Sequence, residues 1–208
     1  MTTFRLAWVL VICLFCQAAA RTVTVQPDEM AAAKRWASAK FRGELLPPDA
    51  ARKPPTTEPP FSFIYGGRSS SELLPTWKPK RTSPRLDQNR VGLSLTYTDP
   101  QTGLVVRCEA IEYANFPVEE WTLYFKNTGT SDTPILEQIQ AMDIRLERPK
   151  ECEFVLHYHR GDFCAANSYE PLVTTLGPGA ELRFAPDGGR PTNGQWPYYN
   201  IQWGDQGV

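Results

Sequence analysis

Val118-Glu119-Glu120-Trp121-Thr122-Leu123-Tyr124-Phe125-Lys126-Asn127 is the stretch whose reading decides the fold class. Trp121, Leu123 and Phe125 share one side of a period-two alternation, while Glu120, Thr122 and Lys126 share the other, as in a strand with one buried face. Thr, Tyr, Phe and Trp suit a pleated surface, and Asn127-Thr128-Gly129-Thr130 supplies turn chemistry where the pattern stops. The stretch is expected to be a central strand of a β-sheet.

Working outward, Val91 to Thr98 alternates in the same way, and Asp99-Pro100-Gln101-Thr102-Gly103 returns the chain into Leu104 to Tyr113 as a hairpin. Phe61 to Tyr65, closed by Gly66-Gly67, reads as a first strand. From Ile135 to Leu146 the apolar phase shifts between Ala141 and Met142, which marks a bulge or a strand that bends between two sheets. Glu151 to Arg160, Ala180 to Ala185 and Tyr198 to Trp203 complete the expected strands. A helix is expected to start at Pro27-Asp28, capped by Asp28, with Met30, Ala33, Ala37 and Phe41 on one face and Gly43 as its stop. The proline-dense stretch from Leu45 to Pro60 carries neither helix nor central strand and reads as a linker. Short strands, many turn signals and one helix give an all-β chain, an antiparallel β-sandwich.

With 208 residues, 41% of them hydrophobic, the chain can bury one good core. A net charge of -1 provides no basic field, which sets nucleic-acid binding aside. Arg5, the apolar run Leu6 to Phe15 and Ala18-Ala19-Ala20 form a signal-peptide pattern with cleavage after Ala20. The expected localisation is therefore exported, periplasmic or secreted, with no membrane attachment after cleavage. The expected organisation is a signal peptide over 1–20, a short helix and Pro-rich linker over 21–58, and a β-sandwich over 59–208. The closing Gly204-Asp205-Gln206-Gly207-Val208 reads as a turn opening another strand, so truncation of the sandwich is expected. Oligomer formation stays open.

Of the five cysteines, Cys13 and Cys16 belong to the signal, leaving Cys108, Cys152 and Cys164. Cys152 and Cys164 flank an expected hairpin and form a candidate disulfide, suited to an oxidising compartment. Buried free thiols acting as small hydrophobes are the alternative, and both stay open.

Glu119 and Glu120 are neighbours on a strand and point to opposite faces, so they cannot flank one scissile bond; a solvated residue and an edge charge is the preferred reading. His157 and His159 share a face but lack a convincing third ligand, so no metal is expected. No nucleophile elbow, zinc helix or phosphate loop is present, and no catalytic residue or cofactor is assigned. Functional composition concentrates between Asp187 and Trp203. Arg190 and Asn193 can donate hydrogen bonds to hydroxyls, and Trp196, Tyr198, Tyr199 and Trp203 can stack on sugar C–H faces. The competing reading makes these aromatics filler for the core or for an interface with another domain.

Three segments in order carry a resemblance: Phe61-Ser62-Phe63-Ile64-Tyr65-Gly66-Gly67, Glu120 to Gly129, and Gly188-Gly189-Arg190-Pro191-Thr192-Asn193-Gly194 with Tyr198-Tyr199-Asn200. Over Pro59 to Val208 the chain resembles the amino-terminal β-sandwich, of supersandwich type, of bacterial α-galactosidase-like enzymes of glycoside hydrolase family 36. The resemblance implies a sandwich packed against a (β/α)8 barrel that performs retaining hydrolysis of α-galactosides with two barrel aspartates. Those aspartates have no counterpart in this sequence, so the implied role is non-catalytic. The partners implied are the barrel and a galactose-containing carbohydrate, and Arg190, Asn193, Trp196 and Tyr199 are the candidates for bordering the sugar. A free-standing carbohydrate-binding module is the alternative.

Overall fold

The Asp99–Gly103 turn joins two long strands, Arg90–Thr98 and Leu104–Tyr113, of a four-stranded sheet. Asp99 accepts hydrogen bonds from the Gln101 N–H at 3.0 Å and the Thr102 hydroxyl at 2.6 Å, which fixes the reversal. The structure, a computed structural model, describes residues 24–47, 55–148, 150–204 and 206–207. The described residues fall into two compact units that divide between Met142 and Asp143. The expected signal peptide, with Cys13 and Cys16, and linker residues 48–54 lie outside the described residues.

The first unit begins with α1 (Pro27–Ala37), which continues through a π-helical turn at Ser38–Arg42. Its cap is not Asp28. Gln26 precedes the first turn, and its backbone N–H donates to the Glu29 carboxylate at 2.9 Å, because proline at the first helical position shifts the boundary one residue earlier. Gly43 ends the turn with φ 73°, as expected for a left-handed stop.

The strands of this unit are β1 (Ser62–Tyr65), β2 (Arg68–Ser69), β3 (Lys80–Thr82), β4 (Arg90–Thr98), β5 (Leu104–Tyr113), β6 (Glu119–Asn127) and β7 (Leu136–Gln140). They form two antiparallel sheets, β3-β4-β5-β6 and β2-β1-β7. A short helix, α2 (Ser70–Leu73), follows β2. The register lines up Leu95, Cys108 and Leu123 in one row and Tyr97, Val106 and Phe125 in the next. Against these rows lie Phe63 and Tyr65 of β1, Trp77 and Phe41, with Phe63 meeting Phe125 edge to face at 5.4 Å. The expected sandwich is thus built by side chains from two sheets meeting over one core.

Two expectations change here. β6 is an edge strand of its sheet rather than a central one, although Trp121, Leu123 and Phe125 do pack on the core. Alternation reports a buried face and is silent on hydrogen-bonded neighbours. Glu119 is no solvated charge, because it shares the inward parity of Trp121 and is half-buried. The strand expected over Ile135 to Leu146 is shorter, ending at Gln140 before the shift at Met142, and its irregularity lies earlier, where the pairing with β1 slips between Ser62 and Ile64 and Gln138 has φ 46°.

The second unit is one antiparallel sheet in the order β11-β10-β8-β9, made of β8 (Phe154–Arg160), β9 (Pro171–Leu176), β10 (Gln195–Trp203) and β11 (Gln206–Gly207). Phe154, Leu156 and Tyr158 line one face with Tyr199, Ile201 and Trp203, as the β8–β10 register requires. The expected strand at Ala180–Ala185 is absent. Phe184 lies against the Tyr158 ring at 5.0 Å, so its apolar spacing reflects a segment resting on the sheet.

Candidate functional site in the loops of the second unit

Two loops at one end of this sheet are drawn together by backbone pairing. The Gly161 N–H donates to the Gly194 carbonyl at 3.1 Å and the Asp162 N–H to the Thr192 carbonyl at 2.8 Å. A β-carbon at Gly161 would lie 2.2 Å from the Gln195 amide nitrogen, so only glycine allows this approach. Glycine here serves the close approach of two segments of the same chain.

Asp162 organises the first loop. Its carboxylate accepts from the Cys164 N–H at 2.8 Å and the Ser168 hydroxyl at 2.7 Å. These bonds, the backbone one foremost, hold the Asp162 carboxyl below its ordinary range, so it stays ionised. Cys164 and Tyr169 take left-handed backbone at φ 57° and 64° within the same loop.

The second loop closes on itself. The Asp187 N–H donates to the Asn193 carbonyl at 3.0 Å, and the Asn193 side-chain amide donates to the Asp187 carbonyl at 3.3 Å. Asn193 is therefore partly spent on holding its own loop. Arg190 is exposed on this loop, and its charge acts on Asp162. Trp196 follows at the start of β10, half-buried, with its ring edge to face with Tyr169 at 5.0 Å. Tyr199 lies further along β10, opposite Tyr158 in the register and 40% exposed.

Three of the four candidates, Arg190, Asn193 and Trp196, are thus gathered at one end of the sheet. Tyr199 belongs to the sheet face. Tyr169 and Phe163, the latter 57% exposed, join the loop end and were missed by reading the sequence. Their signal was the Gly161-Asp162 turn, whose far side could not be paired with Thr192–Gln195 without the fold.

Cys152 and Cys164 carry free thiols, with Cys152 before β8 and Cys164 beyond its far end. A seven-residue strand spans roughly 20 Å, while a disulfide needs Cα atoms within about 7 Å. The expected hairpin between these cysteines does not form, because β8 turns back into β9 further on. Cys108 is fully buried, and burial pushes its thiol up to about 12. His157 bonds Gln202 at 3.0 Å, and among the described residues no group of three or more His, Cys, Asp or Glu side chains is placed to hold a metal ion. No described helix is long and apolar enough to cross a membrane.

Comparison with protein-family models, curated proteins and solved structures finds no match to this chain.

Proposed function

We propose that this chain is a non-catalytic β-sandwich domain of an exported α-galactosidase-like glycoside hydrolase, packing against a (β/α)8 barrel and bordering its sugar pocket. The observation that supports this reading is the joined loop end of the second unit. There Arg190, Asn193 and Trp196 share one rim, joined by backbone pairing, with the exposed ring of Phe163. A rim of donors and aromatics held by backbone pairing suits the edge of a pocket completed by another domain.

A binding module using these aromatics alone needs a flat exposed row. Trp196 and Trp203 are instead half-buried and packed edge to face on Tyr169 and Phe154, while Tyr198 and Tyr199, as strand neighbours, point to opposite faces. This geometry favours the rim of a larger site over a free-standing platform.

The test has two arms. Purified chain is assayed with nitrophenyl α-galactoside, with no turnover expected; robust turnover overturns the non-catalytic reading. The coding DNA after the Val208 codon is also read. A continuing frame with alternating strand and helix patterns is the expected outcome, and an immediate stop codon overturns the barrel partnership in the same polypeptide.

A further inference from the structure

The first unit carries a hollow of about 670 Å³ that none of the chemistry above uses. It lies between the loop that leads into β4 and the loop that joins β5 to β6. The two loops are tied by the Ala114 N–H, which donates to the Asn89 carbonyl at 2.7 Å.

The walls are set before any ligand arrives. Arg85 donates from Nε to the Asp87 carbonyl at 3.0 Å and from Nη2 to the Gln88 carbonyl at 3.1 Å. The Asp87 carboxylate accepts from the Asn89 N–H at 2.8 Å and from Arg90 Nε at 2.8 Å. Tyr113 is fixed by its hydroxyl, which donates to Glu120 at 3.1 Å. Pre-set walls spare a ligand the entropy of ordering two loops.

Asp87 and Arg90, the charged side chains of its lining, neutralise each other, so a charged ligand gains no net attraction. Gln88, Asn89 and Asn115 add side-chain amides, each both donor and acceptor, and among the described residues no hydrogen bond uses them. Phe116 is 47% exposed beside Tyr113, offering an aromatic face to a ligand with apolar C–H patches.

A charge-balanced lining, side-chain amides and an aromatic ring together suit a neutral ligand that carries both hydroxyls and apolar C–H patches. We infer that this hollow is a binding site for a neutral saccharide, with Phe116 stacking on the sugar and Asn115, Gln88 and the Asp87–Arg90 pair holding its hydroxyls. The site is built wholly by the first unit and does not rest on the reading of the loops of the second. The concavity is open to solvent, which suits weak binding of a ligand that stays partly exposed.

The test is an amide NMR titration of the 208-residue chain with raffinose, maltotriose, cellotriose and xylotriose, using trigalacturonate as a charged control. At least one neutral probe is expected to shift the Asn89, Arg90 and Asn115 amides, with a Kd in the millimolar range of about -4 kcal/mol. Phe116→Ala and Asn115→Ala should each weaken that binding about tenfold. Tyr198→Ala, in the other unit, should leave it unchanged. Because Phe116 is about half exposed, its truncation should leave the fold intact, and the variant's own spectrum verifies that. Silence of these amides with all four neutral probes overturns the inference, as does binding that survives Phe116→Ala or a preference for trigalacturonate.

Discussion

Glu112 and Glu119 stand directly opposite one another on β5 and β6, and only Glu112 has the Arg42 guanidinium as an ion-pair partner, at 2.5 Å. One carboxylate oxygen of Glu119 is buried with no hydrogen-bond partner among the described residues. Burial first, and the charge of Glu112 second, push Glu119 up to about 8 despite the opposing pull of Arg42.

This pair makes stability depend on pH. Glu119 has its ordinary value of 4.5 in the unfolded chain and about 8 in the folded one, so between these values the folded state holds the extra proton. The associated stability is complete below pH 4.5 and is lost as pH rises through 8. Glu119→Gln should match the parent in urea unfolding at pH 4.5 and exceed it at pH 9, by about 1 kcal/mol once solvent screening of a partly exposed group is allowed for. Equal stability at both pH values would remove Glu119 as the titrating group.

Arg42→Met should act in the opposite direction. It strips the partner from Glu112, whose side chain is 14% exposed, and leaves two facing carboxylates without a cation. The expected loss is about 2 kcal/mol at pH 9 and less at pH 5, where Glu119 is protonated. Denaturant midpoints at the two pH values check this, and a pH-independent loss would assign the effect to the Arg42–Glu112 pair and to packing rather than to the charge of Glu119.

Gly129 lies where a β-carbon would meet the Thr102 carbonyl oxygen at 2.2 Å, so a side chain there must push apart the β4–β5 turn and the end of β6. Gly129→Ala is expected to cost about 3 kcal/mol, lowering the Tm by roughly 10 °C. Thermal melts followed by circular dichroism measure it. A change under 2 °C would show that the turn relaxes freely.

The thiols should separate by reactivity. Cys164 is exposed, while Cys108 is buried in the row with Leu95 and Leu123 and is kept protonated by its surroundings. Iodoacetamide at pH 8 should alkylate Cys164 in the native chain and reach Cys108 only after denaturation. Peptide mapping by mass spectrometry reads the outcome, and rapid native labelling of Cys108 would contradict its placement.

Legibility followed length and regularity. The β4–β5 hairpin could be read to within a residue, because nine or ten alternating positions surround a turn whose Asp, Thr and Gly each have a defined task. β9 is hard to read in sequence because it starts at a proline and the apolar Val173, 62% exposed, falls on the face opposite half-buried Leu172, Thr174 and Leu176. Ala180–Ala185 misled for the opposite reason, since Phe184 meets its neighbours without a ladder of its own. At the loop end, Arg190, Asn193 and Trp196 stood out by composition. Phe163 and Tyr169 did not, because they reach the same place through the Asp162 turn.

Read by itself, the Val118 to Asn127 stretch determined an extended strand and the face that Trp121, Leu123 and Phe125 bury, because alternation follows from the two-residue repeat of the backbone. Its position at the sheet edge was decided by tertiary structure, as was the anchoring of Trp121, whose indole N–H donates to the Ala141 carbonyl at 2.7 Å. The fate of Glu119 was decided there too. Its titration depends on Glu112 seven residues away and on Arg42 from the helix end, and such long-range electrostatics exist only once folding has brought the groups together.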